Sequence, residues 1–214
     1  MRRITKIIVP IITSLLLFVG LAFHNSSSIF ASSSSTTPKI TIHNYKDNKN
    51  FQYAVISGKE YDAANYQMLK YVASIYEADQ KLRNENPQYS SYSISKVLYN
   101  QDDKISISYI NAFYKGGVQE DVTMTVFNFY KGKNITLKKA FKDTTAYNEA
   151  NKYVKNYIMN HPYMYPLANQ NIKMYNHQFY WTPTGMNIVF DPNQLDSLAA
   201  GFKYVPVPQR FLKH

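Results

Sequence analysis

The chain has 214 residues, with 24 Lys+Arg against 14 Asp+Glu and a formal charge of +10, and it contains no cysteine. Without cysteine a disulfide framework, thiol catalysis and a lipoprotein anchor after the N-terminal apolar run are excluded, so stability has to come from a packed apolar core.

Arg2, Arg3 and Lys6 precede an apolar run at residues 7–23. A polar stretch at 25–28 follows, and then Ile29, Phe30 and Ala31. A basic start, an apolar middle and a small residue before a polar segment is the pattern of a secretory signal. The expected cleavage lies between Ala31 and Ser32, which makes residues 1–31 a signal peptide and the remainder secreted or cell-surface. The other reading is an uncleaved membrane anchor, because about 17 apolar residues approaches the length of a bilayer span. Pro10, Thr13, Ser14 and Gly20 interrupt the run and favour cleavage. Removal of 31 of the 214 residues leaves 183, enough to bury a sizeable core. Residues 32–38 read as a Ser/Thr-rich linker, and 39–214 as one domain.

Arg2, Arg3 and Lys6 are the only charges before residue 32. The rest therefore carries 21 basic against 14 acidic side chains, a formal +7. Outside a cell such a charge attracts anionic wall polymers and lipid surfaces, although scattered lysines also serve solubility alone. With an export signal in front, nucleic acid is not an expected partner.

Residues 39–43 and 51–57 alternate around a polar turn, Tyr45-Lys46-Asp47-Asn48, and predict a hairpin. Ser57 and Glu60 have capping-box spacing, so a helix is expected to start there. Its apolar stripe is Tyr61, Ala64, Met68, Val72, Ile75 and Leu82, and Pro87 closes it. From Ser90 the period becomes two. Three strands follow, at 92–97, 105–110 and 122–127, separated by turn residues at 100–103 and 115–117, which predicts an antiparallel meander. A further turn is expected at 131–134.

Asp143 is placed to cap a second helix from Thr144 to about Asn160, with Tyr147, Ala150, Val154, Tyr157 and Ile158 on one face. Residues 163–175 carry no clear period. A last hairpin is expected at 177–181 and 186–190 across Pro183-Thr184-Gly185, then a turn or short helix at 193–198 and a final strand at 202–207. The fold class is α+β, a curved antiparallel sheet with two main helices packed on it.

No metal-ligand spacing, nucleophile elbow or phosphate loop is present, so neither metal nor cofactor is expected. Glu120 and Asp121 are adjacent at the start of a predicted strand, where neighbours point to opposite faces, and are not expected to converge. Tyrosine is abundant, with 20 residues, and suits both recognition surfaces and half-buried strands.

Two blocks are familiar in their residues. Gly116-Gly117, then 128–133, Ile135-Thr136-Leu137 and Ala140-Phe141-Lys142 form the first. The second runs from Phe179 through Trp181, Pro183, Gly185 and Met186 to Val189-Phe190-Asp191-Pro192 and Ala199-Ala200-Gly201. Together they resemble the RsiV-like extracellular domain family. That resemblance extends from Lys39 to the end and implies an α+β fold on an exported or membrane-anchored bacterial protein. Relatives include the lysozyme-binding outer part of an anti-sigma factor and a module of peptidoglycan deacetylases. This chain departs from the pattern at Val118, where many relatives place a histidine.

The function expected from these readings is a secreted, non-catalytic cell-envelope binding module for a protein or wall-glycan ligand. Lysozyme is a candidate partner, although its positive charge opposes that of this chain. Tyr180 and Trp181 are the candidate ligand-binding pair, with a core role as their other reading. The alternatives are a wall-active hydrolase built from His177, Asp191 and Asp196, and an accessory subunit that pairs with a membrane partner through a sheet edge.

Overall fold

The computed structural model describes residues 37–117 and 120–213, which belong to one compact unit. The signal-peptide reading, its cleavage at Ala31 and Ser32 and most of the linker lie outside the described residues. Among the described residues no helix is long and apolar enough to cross a membrane.

Strands β1 (Ile40–Tyr45) and β2 (Asn48–Ile56) form the first hairpin. Lys46 and Asp47 turn it with φ of 49° and 56°. Two successive positive φ values match the twist of the flanking strands, as a two-residue hairpin requires. Helix α1 (Asp62–Glu85) follows. The Ser57–Glu60 capping box does not form, because the Ser57 hydroxyl accepts the Lys39 backbone N–H across the hairpin at 2.8 Å. Instead a 3₁₀ turn at Lys59–Tyr61 leads into the helix, whose N-cap position has no side-chain bond.

β3 (Ser90–Gln101), β4 (Lys104–Tyr114) and β5 (Asp121–Tyr130) form the meander, and β6 (Lys133–Asn134) adds a short edge. The six strands make one curled sheet in chain order, antiparallel except where β2 meets β3 at Phe51 and Ser93. Helix α2 (Leu137–Ala140) precedes α3 (Thr144–Met159), whose N-cap Asp143 accepts the Ala146 N–H at 2.8 Å. β7 (Gln178–Thr182), β8 (Gly185–Phe190) and β9 (Lys203–Pro208) form a second, three-stranded antiparallel sheet.

The α+β class is thus as expected, with the helices divided between two sheets. Ala64, Met68 and Val72 of α1 pack on Phe51, Ile105, Ile107, Tyr109 and Phe129, one face of the larger sheet. Each fully buried Val, Ile, Met or Phe side chain among them stabilises by about 1.5–3 kcal/mol. α3 packs Ala150, Val154 and Ile158 against Trp181, Ile188, Val205 and Val207 of the smaller sheet. A third group, Met124, Val126 and Val189, lies between the sheets.

Polar side chains fasten the sheets together. Ser106 donates to Asn128 Oδ1 at 2.6 Å and accepts the Trp181 N–H at 2.9 Å, while Asn128 Nδ2 donates to the Phe179 carbonyl at 2.7 Å. Asn128 and Ser106 thereby replace the neighbouring strand that the outer edge of β7 lacks, and satisfy buried groups that would otherwise be orphaned. On the α1 side, β3 presents Ser91, Ser93 and Ser95 inward and Ile94 outward, so the small side chains face the helix. The buried Asp79 of α1 accepts from the Ser91 N–H at 2.7 Å and its hydroxyl at 3.0 Å, and pairs with Arg83 at 2.8 Å.

Candidate functional site

The connection at 163–175 has no regular element, yet it is fixed to the body. Tyr165 is buried, its hydroxyl donates to the Tyr204 carbonyl at 2.9 Å, and burial pushes its pKa up to about 12. The Met174 N–H is held by Asn151 of α3 at 2.9 Å. Asn176 then takes φ of 63°, a left-handed conformation that Asn tolerates better than most residues, and turns the chain into β7.

That turn delivers His177 to the junction of two open hollows of about 520 and 530 Å³, both lined by Asn176 and His177. The first lies between the start of β5 and the end of β8. Glu120, Asp121 and Asp191 contribute carboxylates, and Val122, Met124 and Leu198 an apolar wall. The second is rich in amides, with Asn169, Asn171, Asn193 and Gln194 beside Lys173 and Tyr175. Both sizes fall within the range of ligand-binding clefts.

The His177 ring packs on Phe190 with centroids 4.1 Å apart. Burial lowers its pKa below 6.5, opposed by the Asp191 charge and by hydrogen bonding to the Val189 and Lys173 backbone. The imidazole is therefore neutral at pH 7. An unfolded chain binds the proton more readily, so this group's share of stability is present above pH 6.5 and is lost as pH falls through the folded pKa. Replacing Asp191 by Asn removes a charge that favours imidazolium. In an NMR pH titration the His177 midpoint is expected below 6.5 in the parent chain and lower still in Asp191→Asn, and an unchanged midpoint would contradict their electrostatic contact.

Of the three residues read as a hydrolase site, His177 and Asp191 meet in the first hollow. Asp196 lines neither hollow and instead pairs with Lys203 at 2.7 Å. Glu120 and Asp121 border the same hollow, against expectation. The reason is that β5 begins at Asp121, so Glu120 precedes the strand and escapes its two-residue alternation. Glu120 also interacts with Tyr92, whose pKa is raised by burial and then by the Glu120 charge and hydrogen bond. Among the described residues of this hollow the only hydroxyl is that of Thr123, which accepts from Asn111 Nδ2 at 3.4 Å.

Tyr180 and Trp181 line neither hollow. Trp181 is 2 % exposed and packs edge-on to Phe179 within the core around α3. Tyr180 is half-buried, accepts from Asn187 Nδ2 at 2.7 Å and lies against Tyr204. Among the described residues no three His, Asp or Glu side chains are grouped to hold a metal ion.

The fold and site define an α+β protein of two sheets with an open, acid-rimmed cleft. Two crystal structures share this fold, both of DUF3298 family proteins. The chain is similar to one from Bacteroides fragilis, with a TM-score of 0.52, 14% identity and coverage of 83% of this chain and 92% of the other. It is also similar to one from Pseudomonas aeruginosa, with a TM-score of 0.55, 10% identity and coverage of 82% and 93%. No protein-family model and no curated protein matches the chain.

Proposed function

We propose that this protein is a non-catalytic binding module displayed outside the cell, and that it holds a cationic segment of a protein ligand in the first hollow. The observation that carries this reading is the placing of Glu120, Asp121 and Asp191 beside the apolar wall of Val122, Met124 and Leu198. An amphipathic cation such as a lysine or arginine side chain needs both surfaces, one for its stem and one for its charge. The N-terminal export pattern and the RsiV-like residues support an extracellular setting. The same resemblance makes lysozyme the first ligand to test. A formal +7 on residues 32–214 repels a cationic protein at long range, and three carboxylates on one cleft supply local attraction.

The test is retention of lysozyme and of purified cell walls on the immobilised protein. Lysozyme is expected to bind at low salt and to elute as salt rises. It should bind about tenfold more weakly to a Glu120→Gln, Asp121→Asn, Asp191→Asn variant, because each rim charge contributes up to about 1 kcal/mol. Equal binding by that variant would reject the cleft. Retention of walls without lysozyme would replace the protein ligand by a glycan, for which the amides of the second hollow supply donors and acceptors.

The meeting of His177 and Asp191 favours one other reading, a wall-active hydrolase. It requires turnover of peptidoglycan fragments that is lost in Asp191→Ala.

A further inference from the structure

The four sheet edges are not equally protected. A bare edge is a template for another strand, and proteins usually block it. On β7 the outward groups are taken by Ser106 and Asn128. On β9 the Tyr204 carbonyl faces outward to Tyr165, so the outward positions two and four residues further are Pro206 and Pro208, which have no N–H. β6 is two residues long. Among the described residues only β1 carries none of these devices.

Its bonding direction follows from its first pair. The Ser57 N–H donates to the Lys39 carbonyl at 2.8 Å, so in the antiparallel register Thr41 and His43 also bond toward β2. Ile40, Ile42 and Asn44 therefore direct their N–H and C=O groups away from the sheet. Among the described residues nothing bonds to them. Ile42 is 41% exposed beside this edge.

We propose that β1 is a self-association edge, on which a second copy of this chain adds its own β1 antiparallel about a two-fold axis at Ile42. The strand is self-complementary in that register. Ile42 meets Ile42 of the other copy, Ile40 meets Asn44, and Thr41 meets His43 on the opposite face. β1, Ile-Thr-Ile-His-Asn-Tyr, has no Lys, Arg, Asp or Glu, so no like charges are brought together. Three hydrogen-bonded pairs add about six inter-chain bonds and cover both Ile42 side chains. An isologous contact of this kind closes at two copies and leaves no edge for a third. It lies apart from the His177 cleft and stands whether or not that cleft binds a ligand.

The absence of cysteine makes the test direct, since any engineered thiol is the only one in the full chain. Ile42→Cys places two thiols on facing residues with Cα atoms about 5.5 Å apart, within disulfide reach. Asn44→Cys places them four residue steps apart, roughly 13 Å. Under mild oxidation Ile42→Cys is expected to form a covalent dimer about tenfold faster than Asn44→Cys. A mixture of Ile40→Cys and Asn44→Cys chains should form the mixed disulfide, with melting temperatures of the reduced variants near the parent's. No dimer from Ile42→Cys in folded protein, or equal rates for the two single variants, would overturn the proposal.

Discussion

Asp79→Ala is expected to cost roughly 3 kcal/mol of folding stability, read as a shift of the urea midpoint at unchanged slope. The carboxylate is 1% exposed on the face of α1 that covers β3. One oxygen takes both the N–H and the hydroxyl of the buried Ser91. Removing it leaves those two donors without an acceptor, and a buried unsatisfied donor costs about 1–3 kcal/mol. Arg83 contributes less, because its side chain is 40% exposed and can turn to water when its partner is lost. Arg83→Ala should therefore cost under about 1 kcal/mol, and Asp79→Asn an intermediate amount, since an amide oxygen can still accept from Ser91. Equal losses for Arg83→Ala and Asp79→Ala would show that the ion pair rather than the Ser91 contact is what matters.

The second large effect is expected at Gly185, where β8 begins opposite Pro208. Its φ is +149°, and an added Cβ would lie 2.1 Å from the Val207 carbonyl oxygen and 2.9 Å from the Gln209 nitrogen. Both are backbone atoms, one in β9 and one in the turn just beyond it, and cannot move aside as a side chain would. Gly185→Ala should lose about 4 kcal/mol, from backbone strain together with forced separation of β8 and β9. The single Trp181 of the chain is buried in the same sheet and reports the damage as a red-shifted emission. Gly201, with φ of +68° and nothing within 4 Å, is the control. There alanine meets only the conformational cost of a backbone with ψ of −155°, a region essentially confined to glycine, about 1–3 kcal/mol.

Both residues bear on how much of the molecule was legible beforehand. The hairpins were, because Lys46-Asp47 and Asp102-Asp103 occupy positions of positive φ flanked by alternating strands. Asp143 was recognisable as a cap for the same local reason. Asp79 was not, although it lies seven residues beyond Val72 on the apolar stripe. An acid at such a position is a signal of a buried partner, but only the folded chain brings Ser91 to it. Ser57 misled because two local uses competed for one hydroxyl, and strand pairing with Lys39 prevailed over capping. The division into two sheets depends on Ser106 and Asn128 reaching across to β7, a contact that no periodicity encodes. The cleft was partly visible. His177 and Asp191 stand out in the sequence, while Glu120 and Asp121 look divergent only under a strand rule that applies from Asp121 onward. Its apolar wall joins Val122 to Leu198, residues far apart in the chain that only tertiary packing unites.

Hydrogen exchange of the protein with and without saturating lysozyme tests the cleft most directly. Slower exchange is expected at Asp121–Met124, Asn176–Gln178 and around Asp191 and Leu198, with β1 and α1 unchanged. Protection confined to other surfaces, or none at saturation, would contradict the assignment of this cleft as the ligand site.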